Sequence, residues 1–351
     1  MIPKVIVTRK TLLEPILHSL PAYRRAQIWQ GLFQKTLQNW ESFSVLPKVL
    51  RDELTTSVPW MMLTAKHILE SAAHDTFKAL LLTSDGKMIE TVLMKNARGH
   101  WSICVSSQVG CAMACTFCAT GKMGFTRNLT VDEIIDQYRF WMYFLCDHKE
   151  LDQQITNVVY MGMGEPLANY DNVKASLLLL LQHTEMGPTR LTVSTVGLIP
   201  MLKKLLLDSE WPPVRLAVSL HSADSVTRQN IMPSSYPKFL DDLAQWTKEY
   251  FVRFTSRRRH LTFEYVMLAG VNDTVGHAEK LIRFARKVGK VKINLIPYND
   301  THSKYQTSES KPLLAFESKL HAAGIDVTRR RTMGADIAAA CGQLIVETAK
   351  K

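Results

Sequence analysis

The chain has 351 residues, 46% of them hydrophobic, enough to bury a large core, and its 43 Lys and Arg against 32 Asp and Glu give a formal charge of +11. This is the composition of a folded globular protein, and the basic excess suits a polyanionic partner such as nucleic acid. The start, Met1-Ile2-Pro3-Lys4, lacks the apolar run of a signal peptide, and the most apolar stretch, residues 177–181, is too short to cross a bilayer. A cytoplasmic protein with no membrane partner is expected.

Residues 1–76 read as a small helical accessory domain. Tyr23, Ile28, Trp29, Leu32, Phe33, Leu37 and Trp40 recur at helical spacing, with Arg24, Arg25 and Lys35 interleaved. Residues 77–100 read as a β-hairpin connector, where runs at 79–83 and 88–94 flank Asp85-Gly86, a pair suited to a type I′ turn. From 101 to 331, six β-rich runs (101–105, 155–161, 191–195, 215–220, 261–267 and 291–296) alternate with helical intervals such as 131–144, 172–181 and 277–287. Helical crossovers between strands imply a parallel sheet. The fold class is α/β, a partial (β/α)6 barrel, with a doubly wound open sheet as the competing architecture. Residues 332–351 form a C-terminal segment. No internal repeat or low-complexity stretch interrupts the chain.

Six cysteines stand at 104, 111, 115, 118, 146 and 341, three of them within eight residues. In a reducing compartment such packing favours metal binding or catalysis over structural disulfides. Cys111-x-x-x-Cys115-x-x-Cys118 follows the first strand of the β/α series, on the side where such folds build active sites. Three thiolates hold three irons of a cubane cluster and leave the fourth iron open to a ligand. A zinc site is the alternative, but structural zinc wants a fourth Cys or His, and only Cys104 lies nearby.

This spacing, with Phe117 before the last cysteine, resembles the radical S-adenosylmethionine superfamily. The stretches 106–111, 117–121 and 128–130 resemble its RlmN and Cfr family of RNA adenine methyltransferases. So do Met161-Gly162-Met163-Gly164-Glu165-Pro166-Leu167, Val193-Ser194-Thr195, Ser219-Leu220-His221, Asn294-Leu295-Ile296-Pro297, and the ending from Gly334 through Cys341 to Leu344. The similarity runs from the N-terminal helices to the last turn.

The resemblance implies one 4Fe–4S cluster per chain on Cys111, Cys115 and Cys118. It implies two S-adenosylmethionine molecules per turnover, bound by Gly164, Glu165, Ser194, Ser219, Leu220, His221 and Asn294. Aromatic amidine carbons are electrophilic, so direct attack on a sulfonium methyl cannot methylate them. By resemblance, Cys341 is methylated first, a radical from the second cofactor activates that methyl, and its carbon adds to adenine. Cys104 then forms a transient disulfide with Cys341 on release, and Glu90 accepts the ring proton. Without the resemblance, Cys104 and Cys341 read as small packed residues and Glu90 as an exposed strand residue. Cys146 matches no family motif and reads as core.

The implied partners are 23S rRNA in the peptidyl-transferase centre, tRNA as a second substrate, and an electron donor such as flavodoxin or ferredoxin. Gly164-Glu165-Pro166-Leu167 and Gln108-Val109-Gly110 resemble the C2-methylating branch. Leu167-Ala168-Asn169 and Ile199-Pro200 lean toward the Cfr-like branch, which methylates C8 and gives antibiotic resistance. A zinc-stabilised RNA-binding protein is the non-enzymatic alternative. The triplets Arg257-Arg258-Arg259 and Arg329-Arg330-Arg331 read as phosphate contacts or as solvated turns.

Overall fold

The computed structural model describes residues 7–255 and 261–345. The triplet at 257–259 lies outside them. Three short helices come first, α1 (Arg9–His18), α2 (Ala22–Gly31) and α3 (Lys48–Ser57). They enclose a small core of their own, built on Leu13, Ile28, Leu32, Trp40, Phe43 and Leu54.

Next come β1 (Leu63–Glu70), β2 (Thr76–Thr83), β3 (Met88–Lys95) and β4 (Trp101–Cys104), then a small antiparallel pair, β5 (Gln108–Gly110) and β6 (Phe125–Asn128), around α4 (Ala119–Lys122). Helix α5 (Val131–Asp147) leads to β7 (Ile155–Tyr160), α6 (Tyr170–His183), β8 (Leu191–Thr195), α7 (Ile199–Leu207) and β9 (Arg215–Ser219). After α8 (Ser225–Ile231) and α9 (Phe239–Arg253), the chain closes on β10 (Leu261–Met267), α10 (Val275–Val288), β11 (Lys292–Pro297), α11 (Ser310–Ala322) and β12 (Asp326–Arg329).

One ten-stranded sheet runs in the order β1-β2-β3-β4-β7-β8-β9-β10-β11-β12. The first four strands pair antiparallel, and from β4 to β12 every pairing is parallel. The sheet is open, with β1 and β12 as edges: a partial barrel and not a closed one. All six β-rich runs expected from the sequence are strands, because parallel strands covered by helices read as apolar runs. The core joins strand residues such as Val158, Leu216, Phe263 and Ile293 to Leu177, Leu202, Leu243, Leu281 and Phe316 of the helices.

Three local expectations need correction. Residues 63–70 form β1 rather than helix, and a seventh parallel strand, β12, joins the far edge. The turn between β2 and β3 is a three-residue loop, Ser84 to Gly86. It is closed by Thr83 N–H to Lys87 O at 2.8 Å and Gly86 N–H to Thr83 O at 3.0 Å. Gly86 has φ +80° but Asp85 is not left-handed, as a type I′ turn would require. The Asp85 carboxylate instead receives Arg127 Nη2 at 2.7 Å, and Arg127 also holds Glu133 of the α5 capping box at 2.8 Å. This network pins the hairpin tip to the start of α5.

The helical unit is docked on α5 by buried charge. Arg9 pairs with Asp132 at 3.2 Å and Asp136 at 2.6 Å, while Arg139 pairs with Asp136 at 2.6 Å and donates to Leu32 O and Trp60 O. Removing one partner from such a buried set costs about 3–5 kcal/mol, because the other charge stays behind.

Candidate active site

The parallel strands end together, and a cavity of about 160 Å³ opens over their carboxyl ends. Cys111, Cys115 and Cys118 line it from the loop between β5 and α4. That loop is held from three sides. Cys111 N–H donates to Gly124 O at 2.8 Å, Thr116 N–H to Ile231 O at 3.0 Å, and Cys118 N–H back to Cys115 O at 3.1 Å. Burial pushes the Cys111 thiol up to about 11 and raises Cys115 and Cys118 as well. As free thiols these groups stay protonated, so a cationic centre must displace their protons for them to become ligands.

Gly164 and Glu165, after β7, line the same cavity, with Glu165 near Cys111 and Cys115. Gly164 has φ +100°, and a Cβ there would fall 2.5 Å from the Gln108 side chain and 2.8 Å from its backbone nitrogen. Only glycine lets the chain pass so close. The Glu165 carboxylate is buried and accepts Leu167 N–H at 2.9 Å and Val196 N–H at 2.7 Å. Burial nevertheless raises it to about 7, leaving it poised to gain from a cationic partner.

Ser194 and Ser219 line the cavity from the ends of β8 and β9, with His221 just beyond. His221 sits at φ +53°, its Nδ1 accepting Val266 N–H at 3.0 Å and its ring edge-on to Phe117 at 4.9 Å. Burial, then the nearby Arg228, hold its pKa near 3, so the ring is neutral with its proton on Nε2. Leu220 is fully buried core, and its N–H bonds Glu264 O. Asn294 does not line the cavity; it donates through Nδ2 to Glu264 Oε1 at 2.9 Å.

Cys341 is exposed at the mouth of this cavity. Its segment is pinned along its length. Ala119 N–H donates to Gly342 O, Asn299 Nδ2 to Cys341 O, Thr120 Oγ1 to Leu344 O, and Ile345 N–H to Glu90 Oε2 at 2.9 Å. Glu90 lies outside the cavity, buried on β3 and paired with Lys78 at 2.9 Å; Lys78 in turn reaches Ala338 O. Cys104, at the end of β4, is buried, and its thiol is pushed up to about 12 by burial first and by neighbouring Cys341 second. Cys146 is half-buried on α5, 3.5 Å from Lys149 Nζ.

The second arginine triplet divides. Arg330 turns into the cavity, with Nη1 3.9 Å from Cys341 Sγ, 3.4 Å from Met161 Sδ and 3.8 Å from Glu264 Oε2. Arg329 lies 3.9 Å from Glu317, and Arg331 is exposed. Sequence reasoning missed Glu264, a buried carboxylate in the cavity wall. Its signal was available: one charge inside the otherwise apolar run Phe263-Glu264-Tyr265-Val266-Met267.

Residues 105–285 match the radical SAM superfamily. Over 94% of its length the chain is 40% identical to a dual-specificity RNA methyltransferase RlmN of Desulfotalea psychrophila, covering 91% of that protein. It is 37% identical to a probable dual-specificity RNA methyltransferase RlmN of Aquifex aeolicus, over 93% of the chain and 91% of the relative. The chain belongs to the RlmN family of radical SAM RNA methyltransferases. A crystal structure of a radical SAM methyltransferase from Sphaerobacter thermophilus superposes with a TM-score of 0.87 at 36% identity, covering 96% of this chain and 97% of that one.

Membership implies a 4Fe–4S cluster and S-adenosylmethionine, and the site fits both. Three thiols share one wall with no fourth side chain among them, as a cluster with one open iron requires. Family membership, and not side-chain geometry, displaces the zinc reading: the three thiols line one wall but, among the described residues, do not converge on a single point. Gly164 clears room at the wall, and the buried carboxylates Glu165 and Glu264 face a ligand rich in hydrogen-bond donors. Among the described residues no helix is long and apolar enough to cross a membrane.

Proposed function

We propose that this enzyme methylates C2 of an adenine in 23S rRNA, at the peptidyl-transferase centre, and in tRNA. Cys341 is the methyl carrier and Cys104 the thiol that frees the product. The observation that carries this reading is the position of Cys341, an exposed thiol on the cavity that the three clustered cysteines line. A radical enzyme acting on a protein or small molecule would share the cluster but has no reason for the pair of Cys104 and Cys341.

In this reading Cys111, Cys115 and Cys118 hold one cluster, and Glu165 receives the cofactor's ammonium group. When bound, the cluster and S-adenosylmethionine supply the electron and the radical chemistry. Cys341 would carry the methyl group that bound S-adenosylmethionine supplies and present its carbon to the adenine. Arg330 keeps a cation beside its sulfur. Cys104, near Cys341 and Arg330, closes a disulfide with Cys341 as the product leaves. Glu90, on the strand that clamps the Cys341 segment, takes the ring proton once RNA loosens the Ile345 contact. A flavodoxin or ferredoxin in the cytoplasm supplies the electrons. The +11 charge draws the polyanionic substrate, so RNA affinity falls steeply with salt.

Expression in a bacterial host lacking its own enzyme, followed by nucleoside analysis of rRNA and tRNA, tests the reading. The expected product is 2-methyladenosine in both; 8-methyladenosine as the main product overturns it in favour of the Cfr-like reaction. Cys104→Ala keeps cluster and cofactor cleavage and accumulates a protein–RNA adduct. Normal turnover by that variant removes the disulfide step.

A further inference from the structure

Glu264 lines the cavity, and no step above uses it. It stands on β10 in direct cross-strand register with Ser219 of β9 on one side and Asn294 of β11 on the other. The three positions form one polar row across three adjacent parallel strands. Glu264 is 3% exposed; its Oε1 accepts Asn294 Nδ2 at 2.9 Å, while its Oε2 is buried and accepts no hydrogen bond among the described residues. The nearest cation, Arg330 Nη1, stands 3.8 Å away, outside hydrogen-bond reach. A buried carboxylate oxygen without a donor is unfavourable unless a ligand supplies one.

The chemistry of the row says which donor fits. Asn294 Nδ2 fixes the carboxylate through Oε1, which keeps a free lone pair beside the unpaired Oε2, so Glu264 itself offers the cavity two acceptors side by side. S-adenosylmethionine carries three sets of donors: an ammonium, a ribose diol and an adenine amino group. The ammonium belongs beside the cysteines, where Glu165 receives it. An adenine edge places an acceptor next to its amino donor, which a pair of acceptors repels. Two vicinal hydroxyls match two adjacent acceptors, and a buried carboxylate on a ribose hydroxyl is a general device of nucleotide-binding sites. We propose that Glu264, oriented by Asn294, binds the 2′- and 3′-hydroxyls of the cofactor's ribose. The assignment rests on the reading that S-adenosylmethionine occupies this cavity.

Equilibrium dialysis on anaerobic, cluster-reconstituted protein tests it, with S-adenosylmethionine and its 2′-deoxy and 3′-deoxy analogues as probes. Wild-type protein binds the deoxy analogues more weakly than the parent cofactor. Glu264→Ala keeps the cluster spectrum and weakens S-adenosylmethionine by about 10–100-fold, as expected for a lost hydrogen bond to a charged group. It weakens the analogues far less, so the discrimination collapses. Glu264→Gln, which keeps shape and one acceptor, falls between the two and guards against a folding defect in the alanine variant. Unchanged cofactor affinity with discrimination intact overturns the proposal. So does a variant that binds the cofactor normally but loses affinity for RNA, which would assign Glu264 to the target base or to anchoring Arg330. Failure of wild-type protein to bind S-adenosylmethionine at all would instead remove the parent reading.

Discussion

The two walls of the cavity are built in different ways. One wall is local in sequence: Cys111, Cys115 and Cys118 share a single loop, and Gly164 and Glu165 are neighbours after one strand. The other is assembled by register. Ser219 and Glu264 come from two strands, Asn294 supports Glu264 from a third behind the wall, and Arg330 follows a fourth, with tens of residues between them. In the proposed reading a local wall tolerates little change, since each residue would be a ligand or make room for one. An assembled wall would grade its effects, since each residue would contribute only a hydrogen bond or a charge to a ligand held elsewhere.

The largest contrast follows from the local wall. Cys115→Ala, like the same change at Cys111 or Cys118, should abolish the brown colour of anaerobically prepared protein and all reductive cleavage of S-adenosylmethionine. Iron analysis and the visible spectrum read this directly, and a variant that keeps a full cluster breaks the ligand assignment. Gly164→Ala should come next. The new Cβ meets the Gln108 backbone at 2.8 Å in a left-handed conformation, a strain of about 1–3 kcal/mol. Gln108 Oε1 holds Glu165 N–H at 2.8 Å, so the displacement passes to the carboxylate. A lower melting temperature with cofactor affinity at least ~10-fold weaker, cluster retained, is the expected pair of readings. Wild-type affinity in that variant would show that this wall is less tight than its contacts imply.

The same contrast explains what was legible in the sequence. The cysteine loop and the Gly164-Glu165 turn are contiguous strings whose residue types announce their chemistry. The six parallel strands were legible because at least one face of each is buried and apolar, as with Leu191 and Val193 of β8 and Ile293 and Leu295 of β11. Strands β1 and β12 were not, because as edges they keep most side chains in solvent; in β1 only Leu63 is buried, so no alternation survives. The turn at Asp85-Gly86 followed its dipeptide only in part, since a long-range bond to Arg127 uses the aspartate. Glu264 was lost among apolar neighbours, and its meaning depends on which residues the sheet aligns beside it. Resemblance alone named Glu90, and the structure shows it clamping the segment that carries Cys341.

The smallest effect belongs to His221 on the assembled wall, and it separates a structural task from an acid–base one. Its ring is buried, takes a hydrogen bond from Val266 N–H at Nδ1, and has a pKa near 3. An unfolded histidine titrates near 6.5. The folded pKa is therefore depressed, and the contribution to stability is complete above pH 6.5. It declines as pH falls below that value, by up to about 1.4 kcal/mol per pH unit until the folded pKa is reached. His221→Asn removes the titration while suiting the left-handed backbone at φ +53°, a region asparagine tolerates. At pH 7.5 the variant should be less stable by about 1 kcal/mol, the worth of one buried hydrogen bond. Between pH 6.5 and 5 the gap should narrow and then reverse, because only the wild type must keep a histidine neutral. Denaturant unfolding of both proteins across that range measures it. A constant gap would mean that the folded ring titrates as the unfolded one does and burial does not hold it neutral, whereas a closing gap fixes His221 as a neutral acceptor for Val266 N–H.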